Sequence, residues 1–201
     1  TTAFEEKSVQ EIKRDFTDNP NDIADIIIEP IQGEGGDNHF RKEFFESLRL
    51  LADENEALLI FDEVQAGMGI TGRMWCAQHF GVMPDIICFG KKAQVGGIMC
   101  SERIQEVESV FKVPSRINST FGANLADMVR CARYLEIIEE EKLVANAERV
   151  GLFLRNGLCD LAKRFEVVTN IRGRGLMIAF DLPSSHERAV FRQHLIREGC
   201  L

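Results

Sequence analysis

No stretch of this 201-residue chain approaches the roughly 18 consecutive apolar residues that a membrane-crossing helix needs. Positive charge is scarce as well. Lysine and arginine number 24 against 32 aspartates and glutamates, a net charge of -8, which argues against nucleic acid as the main partner because phosphate binding needs a basic face. The six cysteines (Cys76, Cys88, Cys100, Cys131, Cys159, Cys200) never form C-x-x-C and sit in mostly apolar sequence, so they read as reduced core thiols rather than disulfides or zinc ligands. His39, His79, His186 and His194 show no ligand spacing with cysteine or carboxylate, and no metal is expected. No G-x-x-x-x-G-K-[ST] is present, so LLIFDE at 58–63, which looks like the metal-holding strand of a P-loop ATPase, lacks its phosphate cradle. There is no internal repeat and no low-complexity stretch. No signal-peptide pattern opens the chain, and a cytoplasmic setting is expected. Thr1 is not a methionine and Leu201 directly follows a predicted helix, so the chain reads as a fragment of a longer protein.

What is present suits a soluble globular protein: 45% hydrophobic and 28% charged residues, enough for one good core, or one core and the beginning of another. Ile26 to Glu29 is a β-branched run bounded by Asn19-Pro20 and Pro30, and reads as a strand. Phe44, Phe45, Leu48 and Leu51 mark a helix over 41–55. Leu58 to Phe61 and Ile86 to Phe89 are continuously apolar and read as strands buried on both faces. Strand, helix and strand at these lengths imply a right-handed parallel crossover. Beyond them, Leu125, Met128, Val129, Ala132, Leu135 and Ile138 mark one helix, which the acidic run 139–141 follows, and Leu143 through Leu161 mark another. A strand over 175–181 follows a tight turn in IRGRG, and a last helix runs from about Ser185 to Arg197. A domain boundary is expected near residue 140.

In open α/β sheets the ligand crevice lies beyond the carboxyl ends of the strands. Three segments leave such ends here: EPIQGEGG with Glu29, Gln32 and Glu34, DEVQAG with Asp62, Glu63 and Gln65, and GKK with Lys91 and Lys92. Singly, each has an ordinary explanation as a helix cap, a turn or a solvated charge. Together they gather charge of both signs at one sheet edge, where functional sites collect. GMGITG at 67–72 satisfies G-x-G-x-x-G after a strand and leaves a nicotinamide-binding domain as an alternative. That reading needs a helix opening within the motif, and no helical stripe follows before Pro84. Trp75 and Tyr134 read as packing residues, and Arg172 and Arg174 as turn-holding residues or contacts to a partner chain.

EPIQGEGG, FDEVQAG, FGK and NSTFGAN, in this order and spacing, resemble the class III (fold-type I) pyridoxal-phosphate aminotransferases over nearly the whole chain. The resemblance implies an α/β fold: part of a large cofactor-binding domain with a mainly parallel sheet over 1–140, and the beginning of a C-terminal α+β small domain over 141–201. It implies pyridoxal 5'-phosphate as cofactor, attached covalently to Lys91, with Lys92 as a flanking residue. Asp62 would pair with the ring nitrogen, Val64 would pack on the ring and Gln65 would hydrogen-bond the phenolic oxygen. Thr120 would reach the cofactor phosphate of a neighbouring subunit, which implies a homodimer with shared sites. Glu34 resembles a gating glutamate whose partner arginine, like the phosphate loop and the ring-stacking aromatic, is not among these 201 residues. GKKAQVGGIM, VPSRINST and NLADMVR are similar to members that act on the terminal amine of L-lysine, which implies a role in lysine catabolism with 2-oxoglutarate as acceptor. The alternatives within the family are ornithine, acetylornithine and 4-aminobutyrate as donors.

Overall fold

The computed structural model describes residues 2–116 and 124–200. Its first element, α1 (Thr2–Asp18), has no counterpart in the sequence reading. Val9, Ile12 and Phe16 lie one turn apart on one face of α1 and pack on the core, while Phe4 is 62% exposed. β1 (Asp25–Ile28), α2 (Lys42–Glu54) and β2 (Leu58–Asp62) follow as expected to within a residue or two. β1 and β2 pair in parallel, with Ile26 opposite Leu59 and Ile28 opposite Phe61. α2 buries Phe44, Phe45, Leu48, Leu51 and Ala52, the face that its periodicity marks. The segment then returns to the sheet through Ala57, whose N–H donates to Ala52 O at 2.9 Å.

β3 (Ile86–Phe89) is also parallel to β2, with Ile60 opposite Ile86 and Asp62 opposite Cys88. The next strand, β4 (Gly97–Cys100), pairs antiparallel with β3, so the sheet is mixed with order β1-β2-β3-β4. Two adjacent glycines, residues poorly suited to strands, hid β4 from the sequence reading. Asp85 pins the start of β3: its carboxylate takes Leu59 N–H and Arg49 Nη1, each at 2.8 Å, and Arg103 Nη1 at 3.3 Å.

Burial of β2 is one-sided and β3 is half-buried along its whole length, contrary to expectation. Leu59 and Phe61 are fully buried, whereas Leu58, Ile60 and Asp62 are half-buried and Ile27 of β1 is 61% exposed. The core fills only the face that α1, α2 and the 76–82 segment cover. Phe45 is at its centre, its ring centroid 4.2 Å from that of Phe80 and 5.3 Å from that of Phe61. Only Cys76 among the cysteines belongs to this core. Cys88, Cys100 and Cys131 are half-buried and Cys159 and Cys200 exposed, so the reading of all six as core thiols is corrected.

The second part of the chain contains α3 (Leu125–Glu140), α4 (Leu143–Arg164), a two-stranded antiparallel hairpin of β5 (Thr169–Arg174) and β6 (Met177–Asp181), and α5 (Ser185–Arg197). Asn124 caps α3 by accepting Ala126 N–H, and Ser184 caps α5 by accepting Glu187 N–H. β5 was not anticipated. IRGRG is mostly strand, and its turn falls at Gly175 and Leu176. α4 crosses that turn so closely that a Cβ on Gly151 would lie 1.9 Å from Gly175 O.

Phe45→Ala removes the ring at the centre of the aromatic cluster. It should destabilise the complete protein by about 3–5 kcal/mol, read from the urea midpoint. A loss below about 1 kcal/mol would place the core elsewhere.

Candidate active site

β2 and β3 run in parallel and therefore bring Asp62 and the Gly90-Lys91 step out at the same edge. Asp62 Oδ1 accepts Val64 N–H at 3.0 Å, a local bond that turns the chain out of the strand. Gln65 follows, and both lysines converge on it. Lys91 Nζ donates to Gln65 Oε1 at 3.3 Å, and Lys92 Nζ donates to Gln65 O at 2.6 Å. Lys91 sits in the left-handed region (φ 44°). Lys91 is exposed and Lys92 half-buried. Val64 lies beside Gly90, where a Cβ would meet its Cγ1 at 3.4 Å.

Glu63 points the other way. It is 1% exposed, and its carboxylate accepts Cys76 N–H and Ala77 N–H, the latter at 2.8 Å, at the start of a short 3-10 helix over Cys76–His79. Burial pushes its pKa up, against the two backbone N–H groups and the Lys92 ammonium, which favour the charged form. Lys92 moves down, first through burial and then through the neighbouring Lys91 charge, with Glu63 opposing. Sequence reading grouped Glu63 with the strand-end charges and left Lys92 as a flanking residue. Their anchoring roles depend on which way each side chain turns.

The loop after β1 approaches the same place. Gly33 N–H donates to Glu29 Oε2 at 3.1 Å, and a Cβ on Gly33 would fall 2.1 Å from Gln65 Oε1, so any larger residue would displace that amide. Ile31 and His39 close the loop by an antiparallel bridge, and Glu34 stands exposed at its tip. Among the described residues, the Glu34 carboxylate takes no hydrogen bond. Asp62, Val64, Gln65 and Lys91 thus form one group, Glu34 stands off on an adjoining loop, and Thr120 lies outside the described residues.

The 67–72 segment is a series of turns with no helix opening in it, which removes the nicotinamide-binding alternative. Its glycines serve packing: a Cβ on Gly72 would lie 2.9 Å from Glu148 Cβ of α4, and Ile70 O accepts Leu176 N–H at 2.8 Å. No cluster of three potential metal ligands exists among the described residues. A pyridine ring bearing an aldehyde, a phenolic oxygen and a protonated nitrogen fits the donor set at the strand ends. The amine of Lys91 suits the aldehyde, the amide of Gln65 the phenolic oxygen and the carboxylate of Asp62 the nitrogen. Among the described residues, the second Asp62 oxygen takes no hydrogen bond.

Comparisons with known proteins bear on the family of the chain. The family described as Aminotransferase class-III matches residues 2–201. An L-lysine-epsilon aminotransferase of Mycobacterium bovis is 53% identical over 188 residues, covering 92% of this chain and 42% of that protein. The human mitochondrial 4-aminobutyrate aminotransferase is 37% identical over 169 residues, covering 83% of this chain and 33% of that protein. Among solved structures, a lysine aminotransferase from M. tuberculosis in the internal aldimine form superposes with a TM-score of 0.93 at 49% identity, covering 98% of this chain and 46% of that one. The chain spans less than half the length of the curated relatives it matches.

His39, at the foot of the Glu34 loop, has its pKa pushed down to about 4 by burial and by the nearby Arg172 and Arg174 guanidinium groups. Between the ordinary histidine value of 6.5 and about 4, the unfolded chain binds a proton that folded His39 refuses. Its contribution to stability is therefore complete above that window and is lost as pH falls through it. His39→Asn should flatten the fall of the urea midpoint across this range. An unchanged slope would show that His39 is not held neutral.

Proposed function

The chain belongs to the class III aminotransferase family, and on that premise we propose that the complete protein is a pyridoxal-phosphate-dependent L-lysine 6-aminotransferase. It moves the terminal amino group of L-lysine to 2-oxoglutarate, giving 2-aminoadipate 6-semialdehyde and glutamate. The observation that carries this reading is the convergence of Asp62, Gln65 and Lys91 at one sheet edge. The choice of lysine is supported by 53% identity to a lysine-ε enzyme, against 37% to a 4-aminobutyrate enzyme. We assign residues 1–140 to part of the large domain and 141–201 to the beginning of the small one. A homodimer in which Thr120 reaches the neighbouring site completes the proposal. The exposed apolar face of α3, with Leu125 75% and Val129 71% exposed, supports a further surface covering it.

The bound cofactor supplies an aldehyde that exchanges with an amine and a protonated ring that accepts the electron pair left on the substrate carbon. Asp62 would hold that ring nitrogen protonated through a charge-assisted hydrogen bond worth about 1.5–3 kcal/mol. Val64 packs on the ring, and Gln65, with Oε1 occupied by Lys91, has its amide N–H groups available for the phenolic oxygen. Lys91 Nζ, held loosely at 3.3 Å, is the amine that would hold the cofactor and could move a proton at the substrate carbon. Lys92 is disfavoured in that role, because its ammonium is engaged with Gln65 O at 2.6 Å. Leaving that bond would unpair a half-buried carbonyl.

Borohydride reduction of the complete holoenzyme should fix one cofactor per chain on the peptide at Lys91. Label on Lys92 would reverse the assignment, and no label on either would remove the reading of the site.

Glu34 at the loop tip is suited to neutralise an arginine while the terminal amine of lysine reacts, and to release it when 2-oxoglutarate brings a second carboxylate. Glu34→Ala should slow the lysine half-reaction about tenfold and leave the glutamate half-reaction unchanged or faster, read by single-turnover spectroscopy on each substrate alone. Equal slowing of both halves would reduce Glu34 to a structural residue.

A further inference from the structure

The loop that carries Glu34 is rich in glycine, with Gly33, Gly35 and Gly36, and its ordering is costly. Its own bonds are few. Gly33 O accepts Gly36 N–H and Asp37 N–H, each at 3.1 Å; Gln32 N–H donates to Asn38 O at 3.1 Å; and Asn38 Nδ2 donates to Gln32 Oε1 at 2.8 Å and Gly35 O at 3.0 Å. Gly36 (φ 111°) and Asp37 (φ 51°) both adopt left-handed backbone, a conformation that Asp37 holds only at a cost.

Across from this turn stands a residue more than a hundred positions away in sequence. Arg172 of β5 donates from Nε to Asp37 O at 2.7 Å and from Nη2 to Gly36 O at 3.3 Å. Its Nη1 donates to Asn170 O at 2.9 Å and to Asp181 Oδ1 of β6 at 2.8 Å. Asp181 is braced in turn by Asn170 Nδ2 on Oδ2 at 2.7 Å. The side chain of Arg172 is 19% exposed. Asp181 is held below the usual carboxylate range, first by the Asn170 amide and then by the Arg172 guanidinium. One edge of the planar fork is thus anchored in its own hairpin, and the other grips two successive carbonyls of the loop.

The charge pairing decides what this grip does. Arg172 has its counter-ion in Asp181 and meets the loop only through backbone carbonyls, so it orders the loop without neutralising Glu34. The hairpin also touches the next loop, through Leu176 N–H on Ile70 O at 2.8 Å, so it spans the loops that leave β1 and β2.

We propose that Arg172 is a positioning residue for substrate choice: it latches the β5–β6 hairpin to the loop after β1, so that the place of the hairpin sets the place of Glu34. This inference rests on the gate proposed for Glu34 and adds the element that controls it. A shift of the hairpin relative to the sheet would move Glu34 with it, and the balance between the two half-reactions would follow.

The test uses the complete holoenzyme with Arg172→Met, Arg172→Lys, Asp181→Asn and Glu34→Ala. Amide hydrogen exchange at Gln32, Gly36 and Asp37 reads the latch directly. Arg172→Met should speed it about tenfold or more, as expected for two lost bonds from a charged donor. The ratio of lysine to glutamate half-reaction rates should fall about threefold or more. Arg172→Lys, with one ammonium in place of a fork, should recover part of both effects. Asp181→Asn keeps the shape and the guanidinium, and should shift both readouts in the same direction by less, which guards against misfolding of the methionine variant. Added to Glu34→Ala, Arg172→Met should leave the ratio where Glu34→Ala alone puts it. Unchanged exchange, equal slowing of both halves, or a further fall of the ratio in the Glu34→Ala background would overturn the latch. An unchanged ratio in Glu34→Ala alone would instead remove the gate, and with it the effect of Arg172 on substrate choice, while the exchange result would still separate the two failures.

Discussion

The carboxylate of Glu63 is almost wholly out of water and takes the N–H groups of Cys76 and Ala77, where a 3-10 helix begins in the core. An ionised group so placed is tolerable only because two donors and the nearby Lys92 ammonium face it. Its side chain fixes the direction of the chain after β2. With Glu63 turned inward, Asp62 stays at the strand end, and Val64 and Gln65 lie beside Lys91. The same anchor ties the segment between β2 and the 3-10 helix, whose glycine turns receive α4 and the turn of the β5–β6 hairpin. The site and the docking of the second half of the chain thus share one buried carboxyl group.

Around that anchor the loops at the sheet edge are crowded by design of sequence. A Cβ on Gly33 would displace the Gln65 amide, and Gly72 has no room for one beside Glu148 of α4. Close approach of backbone replaces side-chain bulk, which lets one glutamine touch both the loop after β1 and the lysine pair after β3. The sheet itself is covered on one face only by the described residues, and its other face leaves Ile27 largely open. This agrees with a chain that spans less than half the length of its relatives.

The two adjacent lysines show how environment separates identical residues. One amine meets a side-chain oxygen at the exposed edge, and the other meets a backbone carbonyl in partial burial and has its pKa lowered. Spacing from the glycine distinguishes them only by resemblance to a family. The physical difference between them is one of burial and partner.

Periodicity and chain punctuation determined much of this protein directly. The apolar faces of α2 and α3, the extents of β2, β3 and α5, and the placing of acid and amine at strand ends are all local patterns, because helix and strand repeats are properties of neighbouring residues. The motifs determined the family for the same reason, being short and contiguous. Tertiary structure alone decided what depends on residues far apart. It made β4 antiparallel despite its glycines, left one face of β2 half-covered, and exposed Cys159 and Cys200. It turned Glu63 inward, bound Lys92 to a carbonyl 27 positions earlier, and brought Arg172 onto a carbonyl 136 positions away. Such contacts leave no periodic trace, because their partners meet only after the intervening chain has packed, and burial and charge pairing exist only in the folded arrangement.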